Sequence, residues 1–305
     1  MDLHVPYLGF PDHVRLASDT VELLLSTHYG PRIIRYAPLG GDNLLAELPP
    51  GTGNPTPFGE PWHAYGGHRL WHAPEHPVRT YWPDNRPVHY AIDGDTVTLV
   101  QPIEDNTRLQ KSMRVTLAAR GSEVTVVHRI ANQGPFDVEL ALWALTVMAP
   151  GGVGLFPNAP FRPFPEQLTP TRPLVLWPYT RLHDPRWRWG DRLFQLRQDP
   201  SRPDPQKIGF YNEEGWIAYR RGDVLFLKTY APMPGPHADF GCNTETFTNH
   251  EILELETLSP LLRIAPGASA EHVERWHLFT GVDFGEGEEG VMAAVDRALG
   301  LTRKS

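Results

Sequence analysis

Cysteine is nearly absent from this sequence of 305 residues, with Cys242 as its single example. One thiol cannot form an internal disulfide, so disulfides do not hold this fold together. A chain of this length buries enough apolar surface to need neither a disulfide nor a metal for stability. Hydrophobic residues make up 40% and charged residues 21%, which is the range of ordinary globular proteins and indicates an ordered fold.

Clustered positive charge is also missing. The 28 basic and 36 acidic residues give a net charge of −8, and no block of five like charges occurs. Nucleic acids bind to a clustered basic face, so we do not expect them as partners. The first residues lack the basic start and apolar run of a signal peptide, and no window approaches the roughly 20 apolar residues that span a bilayer. We therefore expect a cytoplasmic protein without a membrane partner.

Signatures of several enzyme classes are absent too. The chain has no phosphate loop of the G-x-x-x-x-G-K-[ST] type and no G-x-S-x-G motif, so nucleotide binding and serine hydrolase chemistry have no support. Residues 62–85 contain four histidines whose spacing on a helix would put three of them on one face. Gly66, Gly67 and Pro74 exclude that helix, and the spacing misses the two-histidine zinc signatures. We expect no metal and no cofactor.

Proline and tryptophan, in contrast, are abundant, with 32 and nine residues. Proline at about twice its usual share of roughly 5% argues against a helical protein. Nine tryptophans fit a sugar-binding surface, because the C–H faces of pyranoses stack on indole rings. Large β-sandwiches also use tryptophan to fill their cores, so the count alone does not decide between the two.

Short alternating segments recur along the chain with turn signals between them, which is typical of a sandwich or barrel. Hairpins are predicted at 111–134 and 215–231, and one helix at 288–301. Residues 157–207 are predicted to form an irregular excursion over the sandwich. We expect a single domain over 1–305, built of two layered antiparallel sheets. The other predicted strands lie at 21–30, 32–41, 95–103, 137–148, 251–264 and 271–282.

Two carboxylates in the segment EILELETLSP (251–260) are candidates for chemistry. Strand alternation puts Glu254 and Glu256 on one face, about 6–7 Å apart at Cα. Like charges this close raise the pKa of one carboxyl group, which suits a general base or acid near neutrality. A solvated strand face with two acidic residues would give the same pattern, so both interpretations stay open.

Three stretches resemble the galactose mutarotase-like family of β-supersandwich proteins, close to an uncharacterised aldose 1-epimerase-like branch. They are STHYGPRIIRYAPLGGDNLLAE (26–47), YGGHRLWHAPE (65–75) and ELETLSPLLRIAPGASAEHVERWHLF (254–279). The resemblance covers most of the chain in order. It implies an all-β fold, a galactose mutarotase-like supersandwich of layered antiparallel sheets with one C-terminal helix, and a small-molecule sugar as the partner.

The resemblance also implies roles for particular residues. Mutarotases open a cyclic hemiacetal with a carboxylate that takes the proton of the anomeric hydroxyl and an imidazole that protonates the ring oxygen. The family's glutamate corresponds to Glu256, and Trp143 stands where the family has its histidine. The acid must then come from elsewhere, and His68 or His72, on the expected irregular pocket rim, is the candidate. The residues expected to bind the sugar are Arg69, Arg32, Trp71, Trp62, Trp143 and Glu254.

Three functions stay open at this point. The first is an aldose 1-epimerase-like isomerase that acts on a hexose. The second is a carbohydrate-binding or sensing protein that kept the pocket and lost the acid, which Trp143 favours. The third is a glycoside-cleaving enzyme, in which Glu256 and a second carboxylate would lie about 5–5.5 or 6.5–9.5 Å apart. The sequence does not tell which sugar is bound, whether it is phosphorylated, or the oligomeric state.

Overall fold

The computed structural model describes residues 1–49 and 51–302, and this part of the chain is almost entirely β-structure. The first strands are β1 (His13–Ala17), β2 (Val21–Ser26), β3 (Arg32–Pro38), β4 (Gly53–Asn54), β5 (Trp62–His63), β6 (His68–Ala73), β7 (His89–Asp93), β8 (Thr96–Val100), β9 (Leu109–Leu117), β10 (Val124–Asn132) and β11 (Val138–Met148). They are followed by β12 (Val153–Pro157), β13 (Val175–Leu176), β14 (Trp187–Trp189), β15 (Leu193–Arg197), β16 (Gln206–Phe210), β17 (Trp216–Arg221), β18 (Val224–Tyr230), β19 (Thr244–Thr248), β20 (Leu253–Leu258), β21 (Leu262–Ile264), β22 (Ser269–Phe279) and the helix α1 (Gly287–Thr302).

Two large antiparallel sheets contain most of these strands. The first sheet has the order β1-β2-β3-β6-β11-β20-β19-β16-β13, with β21 paired to the end of β11. The second has the order β14-β15-β12-β17-β18-β22-β10-β9-β8-β7. The two-stranded ribbon β4-β5 stands apart from both. This is the predicted all-β arrangement of layered antiparallel sheets, and the predicted hairpins correspond to β9-β10 and β17-β18.

The main core lies between the two sheets. Alternation along β20 points Leu253 and Leu255 into it, while Val126 and Trp276 enter from the second sheet. Each side chain of this size that is fully buried contributes about 1.5–3 kcal/mol relative to leaving it in water. The opposite face of β20 therefore points away from the second sheet, and that face carries the candidate site.

The helix α1 covers the outer face of the second sheet, where Val291, Val295 and Ala298 pack against Trp216 and Leu227. It matches the helix predicted at 288–301. The segment GEGEEG (285–290), which includes the first turn of this helix, has the glycine spacing of a dinucleotide loop, but it follows an antiparallel strand and carries three glutamates. No helix in the described ranges is long and apolar enough to cross a membrane.

Two expectations about irregular segments need correction. The pocket-rim stretch 62–85 contains a regular strand, β6, which pairs with both β3 and β11. Its six residues fit between Gly67 and Pro74, so the flanking glycines and prolines bound the strand and do not prevent it. The excursion 157–207 contains the short strands β13, β14 and β15, which extend the edges of the two sheets.

Candidate active site

Two adjoining cavities lie on the outer face of the first sheet, and we call them the first and the second cavity. The first has a volume of about 350 Å³ and is lined by residues that include Trp62, Arg69, Trp71, Tyr81, Trp143, Tyr179, Lys207 and Glu254. The second, of about 490 Å³, is lined by Glu75, Pro77, Tyr81, Trp143, Trp177, Lys207, Asp239 and Glu245. Because Glu75, Tyr81, Trp143 and Lys207 line both, the cavities meet above Trp143 and Lys207.

Strand register explains why charged and aromatic side chains meet there. In β6, Arg69 and Trp71 point to the outer face, and Trp71 is the cross-strand partner of Trp143 in β11. In β20, Glu254 and Glu256 point the same way, and Glu256 is the cross-strand partner of Glu245 in β19. The predicted common face of the two carboxylates in β20 is thus observed.

Arg69 and Glu254 form an ion pair in the first cavity. The guanidinium Nη2 donates to Oε1 of Glu254 at 3.0 Å, and its carbon lies 4.2 Å from the ring centre of Trp71 and 5.3 Å from that of Trp62. Within residues 1–49 and 51–302, the buried Nε of Arg69 finds no hydrogen-bond acceptor. An oriented guanidinium with an unused donor is suited to hold a sugar hydroxyl.

Lys207 is the second cation, and it lies between two glutamates and two tryptophans. Its Nζ is 2.8 Å from Oε2 of Glu245 and 3.2 Å from Oε2 of Glu256. The same atom lies 4.7 Å from the ring centres of both Trp143 and Trp177. Burial alone would lower the pKa of the lysine, but the two carboxylates outweigh burial and hold that pKa well above its usual value.

Glu256 is fully buried beneath Trp143. Its Oε2 accepts hydrogen bonds from the indole Nε1 of Trp143 at 2.8 Å and from Lys207, whereas its Oε1 has no partner in the described part of the chain. Burial raises the pKa of Glu256 in spite of Lys207. Burial also raises the pKa of Glu245 well above its usual value, and the neighbouring charge of Glu256 adds to this effect. Two carboxyl groups of elevated pKa therefore flank one ammonium.

The tryptophans expected to stack on a sugar do line the first cavity, but they cover one another. Trp62, Trp71 and Trp143 are at most 6% exposed, and the ring centres of Trp71 and Trp143 are 5.4 Å apart in an edge contact. The more open faces belong to Tyr81, Trp177 and Tyr179. Sequence reasoning missed all three, although Trp177 and Tyr179 lie in the proline-rich excursion 157–207.

The two histidine candidates do not reach either cavity, and the expectation that one of them lies beside Glu256 in a shared pocket is wrong. Because β6 is a regular strand, its side chains alternate, so His68 and His72 point to the face opposite Arg69 and Trp71. Both are buried between the sheets. Burial lowers the pKa of each imidazole well below its usual value.

Arg32, expected to bind the sugar, also lies outside the cavities. It is completely buried, and its guanidinium forms an ion pair with Asp84 at 2.9 Å. Its remaining donors bind the backbone carbonyls of Ala64 at 2.6 Å and His63 at 3.2 Å. Arg32 therefore holds the segment that carries Trp62 towards the first cavity, and it does not contact the cavity itself.

His68 belongs instead to a buried polar cluster between the sheets. Ligand atoms of His68, His128 and Glu274 lie within 4.8 Å of one another, as in a metal site. The hydrogen bonds and one lysine account for these atoms without a metal ion, however. Nδ1 of His128 donates to a backbone carbonyl, so its Nε2 accepts from Nε2 of His68 at 2.6 Å. Nδ1 of His68 then accepts from Thr146 at 2.8 Å, and Lys228 neutralises Glu274 at 2.9 Å.

Solved structures of other proteins share this fold. No family model and no curated protein matches the sequence. Among solved structures, the Slr1438 protein from Synechocystis sp. PCC 6803 has a TM-score of 0.58 at 12% identity, over 88% of this chain and 96% of that one. A galactose mutarotase-like protein from Lactobacillus casei has a TM-score of 0.55 at 11% identity, over 88% and 100% of the two chains. A putative aldose 1-epimerase from Klebsiella pneumoniae has a TM-score of 0.54 at 10% identity, over 94% and 82%.

These likenesses define the fold class, and at such low identity they define nothing finer. The chain has the galactose mutarotase-like, aldose 1-epimerase-like fold that the sequence resemblance implied. The activity has to be argued from the site itself.

Proposed function

We propose that this chain binds the pyranose ring of an aldose above Trp143 and Lys207 and interconverts its two anomers by acid and base catalysis. The observation that carries the proposal is the pair Glu245 and Glu256, two carboxyl groups of elevated pKa that flank the same ammonium. Pairs of carboxyl groups whose environments give them different pKa values are typical of acid and base partners in catalysis.

The proposed chemistry assigns one role to each glutamate. The ionised Glu256, through its unpaired Oε1, takes the proton of the anomeric hydroxyl, while the protonated Glu245 gives its proton to the ring oxygen as the C1–O5 bond breaks. Rotation about the C1–C2 bond in the open-chain aldehyde exposes the other face. The same steps in reverse close the ring and return both protons.

The other cavity residues support binding and orientation. The unused Nε–H of Arg69 and the carboxylate of Glu254 are placed to hold ring hydroxyls. Tyr81, Trp177 and Tyr179 provide aromatic faces for the C–H side of the sugar. A cavity volume of about 350 Å³ is within the usual range for small-molecule sites.

A second candidate, a sugar-binding protein without turnover, has an observation of its own in its favour. Glu256 is fully buried, with Oε2 held by Trp143 and Lys207, and no histidine lines either cavity in the described ranges. Under this alternative the glutamates hold Lys207 and shape the cavity floor, and no proton transfer to the sugar takes place.

Exchange spectroscopy can separate the two functions. The exchange rate between the α and β anomeric protons of D-glucose, D-galactose and about ten other aldoses is measured with and without protein, and affinity is measured by calorimetry. Acceleration that is lost in Glu256→Gln but kept in Asp223→Asn, a charge removed from an exposed turn of the second sheet, supports the isomerase. Binding without acceleration supports the alternative, and the absence of both for every aldose contradicts both.

A further inference from the structure

The second cavity contains more acidic groups than its one lysine can neutralise, and this remains so when Glu245 holds its proton as the proposed function requires. Glu75, Asp239 and Glu245 line it, together with the aromatic rings of Tyr81 and Trp177. Lys207 already forms ion pairs with Glu245 and with Glu256, which lies just below the cavity floor. An acidic surface alone would prove little, because solvated carboxylates are common.

Two further observations indicate that this cavity is built for a cationic group. Glu245 is completely buried, and its Oε1 receives no hydrogen bond from the described residues. Asp239 contributes a second carboxylate that makes no ion pair or side-chain hydrogen bond within residues 1–49 and 51–302.

The first cavity, in contrast, has no cation available to bind an anionic group on the sugar. Its cations are Arg69 and Lys207, and both are already in ion pairs with glutamates. A phosphoryl group or a carboxylate on the sugar would meet carboxylates without a free cation to bind it. Transferring such an anion from water into the cavity would therefore be unfavourable.

We propose that the substrate is an amino sugar, whose protonated amine binds between Glu245 and Asp239 against the face of Trp177. The inference rests on the proposed function, because it requires the sugar ring to lie above Trp143 and Lys207. An ammonium group offers three donors, enough for the ionised carboxylate of Asp239 and for a lone pair on Oε1 of Glu245, whose proton the proposed function directs at the ring oxygen. The aromatic wall adds a cation–π contact.

The test compares sugars that differ in a single substituent. Affinities are measured by calorimetry for D-glucose, D-glucosamine, D-galactosamine, 6-amino-6-deoxy-D-glucose, N-acetyl-D-glucosamine and D-glucose 6-phosphate. At least one of the three amines should bind about tenfold or more tightly than D-glucose, the usual effect of a charged hydrogen bond. The N-acetyl and phosphorylated sugars should bind more weakly than that amine.

The matched variants are Asp239→Asn, which keeps the shape of the side chain and its tolerance of the left-handed region, and Asp223→Asn as the control. The preference for the amine over D-glucose should fall at least about fivefold in the first variant and stay unchanged in the second. Neutral sugars that bind as tightly as all three amines, or a phosphorylated sugar that binds best, would overturn the inference and leave the proposed function intact. Failure of every sugar to bind would overturn both.

Discussion

The indole Nε1 of Trp143 donates a hydrogen bond of 2.8 Å to Oε2 of Glu256. Trp143 cannot exchange a proton near neutrality, so it contacts the candidate base as a fixed hydrogen-bond donor. An indole N–H is a donor only. The contact therefore favours the ionised form of Glu256 against the effect of burial, which raises its pKa.

Removing this hydrogen bond should cost stability beyond the loss of aromatic volume. Trp143→Phe leaves Oε2 of Glu256 with Lys207 as its remaining donor, and an underused buried acceptor costs about 1–3 kcal/mol. Trp71→Phe, which makes the same change of size beside it, serves as the control. Urea unfolding should show Trp143→Phe as the less stable variant by about that amount, and equal stability of the two would contradict the role of the hydrogen bond.

Lys207 should be more important for stability than a lysine usually is. In Lys207→Met, Glu245 and Glu256 lose their counter-ion, and breaking a buried ion pair from one side costs about 3–5 kcal/mol. The variant's carboxyl groups would have pKa values raised further above those of the unfolded chain. Their contribution is then favourable below the unfolded pKa of about 4.5 and is lost as the pH rises.

Unfolding at two pH values measures this effect. The deficit of Lys207→Met relative to the unmodified protein should be smaller at pH 5 than at pH 8. Adding Glu245→Gln and Glu256→Gln to the same chain should remove most of the pH dependence. A deficit that does not change with pH would mean that Lys207 acts through packing against Trp143 and Trp177 and not through its charge.

The histidine cluster between the sheets should make the protein sensitive to acid. Burial lowers the pKa of His68 and His128, and lowers that of His272 to about 3. Below pH of about 6.5 the unfolded chain binds protons that the native state does not, so the free energy of unfolding falls as the pH falls through this range. Glu245 and Glu256 act in the opposite direction, which makes a background carrying both glutamine substitutions the right one for the stability measurement.

Direct titration provides the site-specific check. The imidazole proton signals of His68, His128 and His272 should stay constant between pH 8 and pH 5, because burial lowers the pKa of all three. A signal of any of these three histidines that shifts within that pH range would contradict the neutral hydrogen-bonded arrangement.

The layered sheets, the hairpins and the helix could be predicted from local patterns, because alternation and turn residues act over a few positions. The same alternation placed Glu254 and Glu256 correctly on one face. Applied to HRLWH (68–72), it would also have put Arg69 and Trp71 on the face opposite His68 and His72. The neighbouring Gly67 and Pro74 argued against regular structure there, so the strand of six residues was not predicted. Lys207 and Glu245 could not be found this way. They lie far apart in sequence on β16 and β19, and only sheet pairing brings them to one place.

The activity prediction follows from the unequal environments of the two glutamates. Glu245 should hold its proton to a higher pH than Glu256, because burial and the charge of Glu256 both raise its pKa. The value of kcat/KM should therefore rise as Glu256 ionises and fall as Glu245 loses its proton, with two apparent pKa values that belong to the coupled pair.

Glu256→Gln and Glu245→Gln should each lower turnover by about 10²-fold or more, since each removes a positioned proton-transfer group. In Glu245→Gln the falling limb of the pH profile should disappear as well, because an amide has no proton to lose in this range. Exchange rates of the anomeric protons, measured across pH at saturating sugar and at low sugar concentration, separate kcat from KM. A glutamine variant that keeps full turnover would remove that residue from the mechanism, and a variant that loses only affinity would identify it as a binding residue.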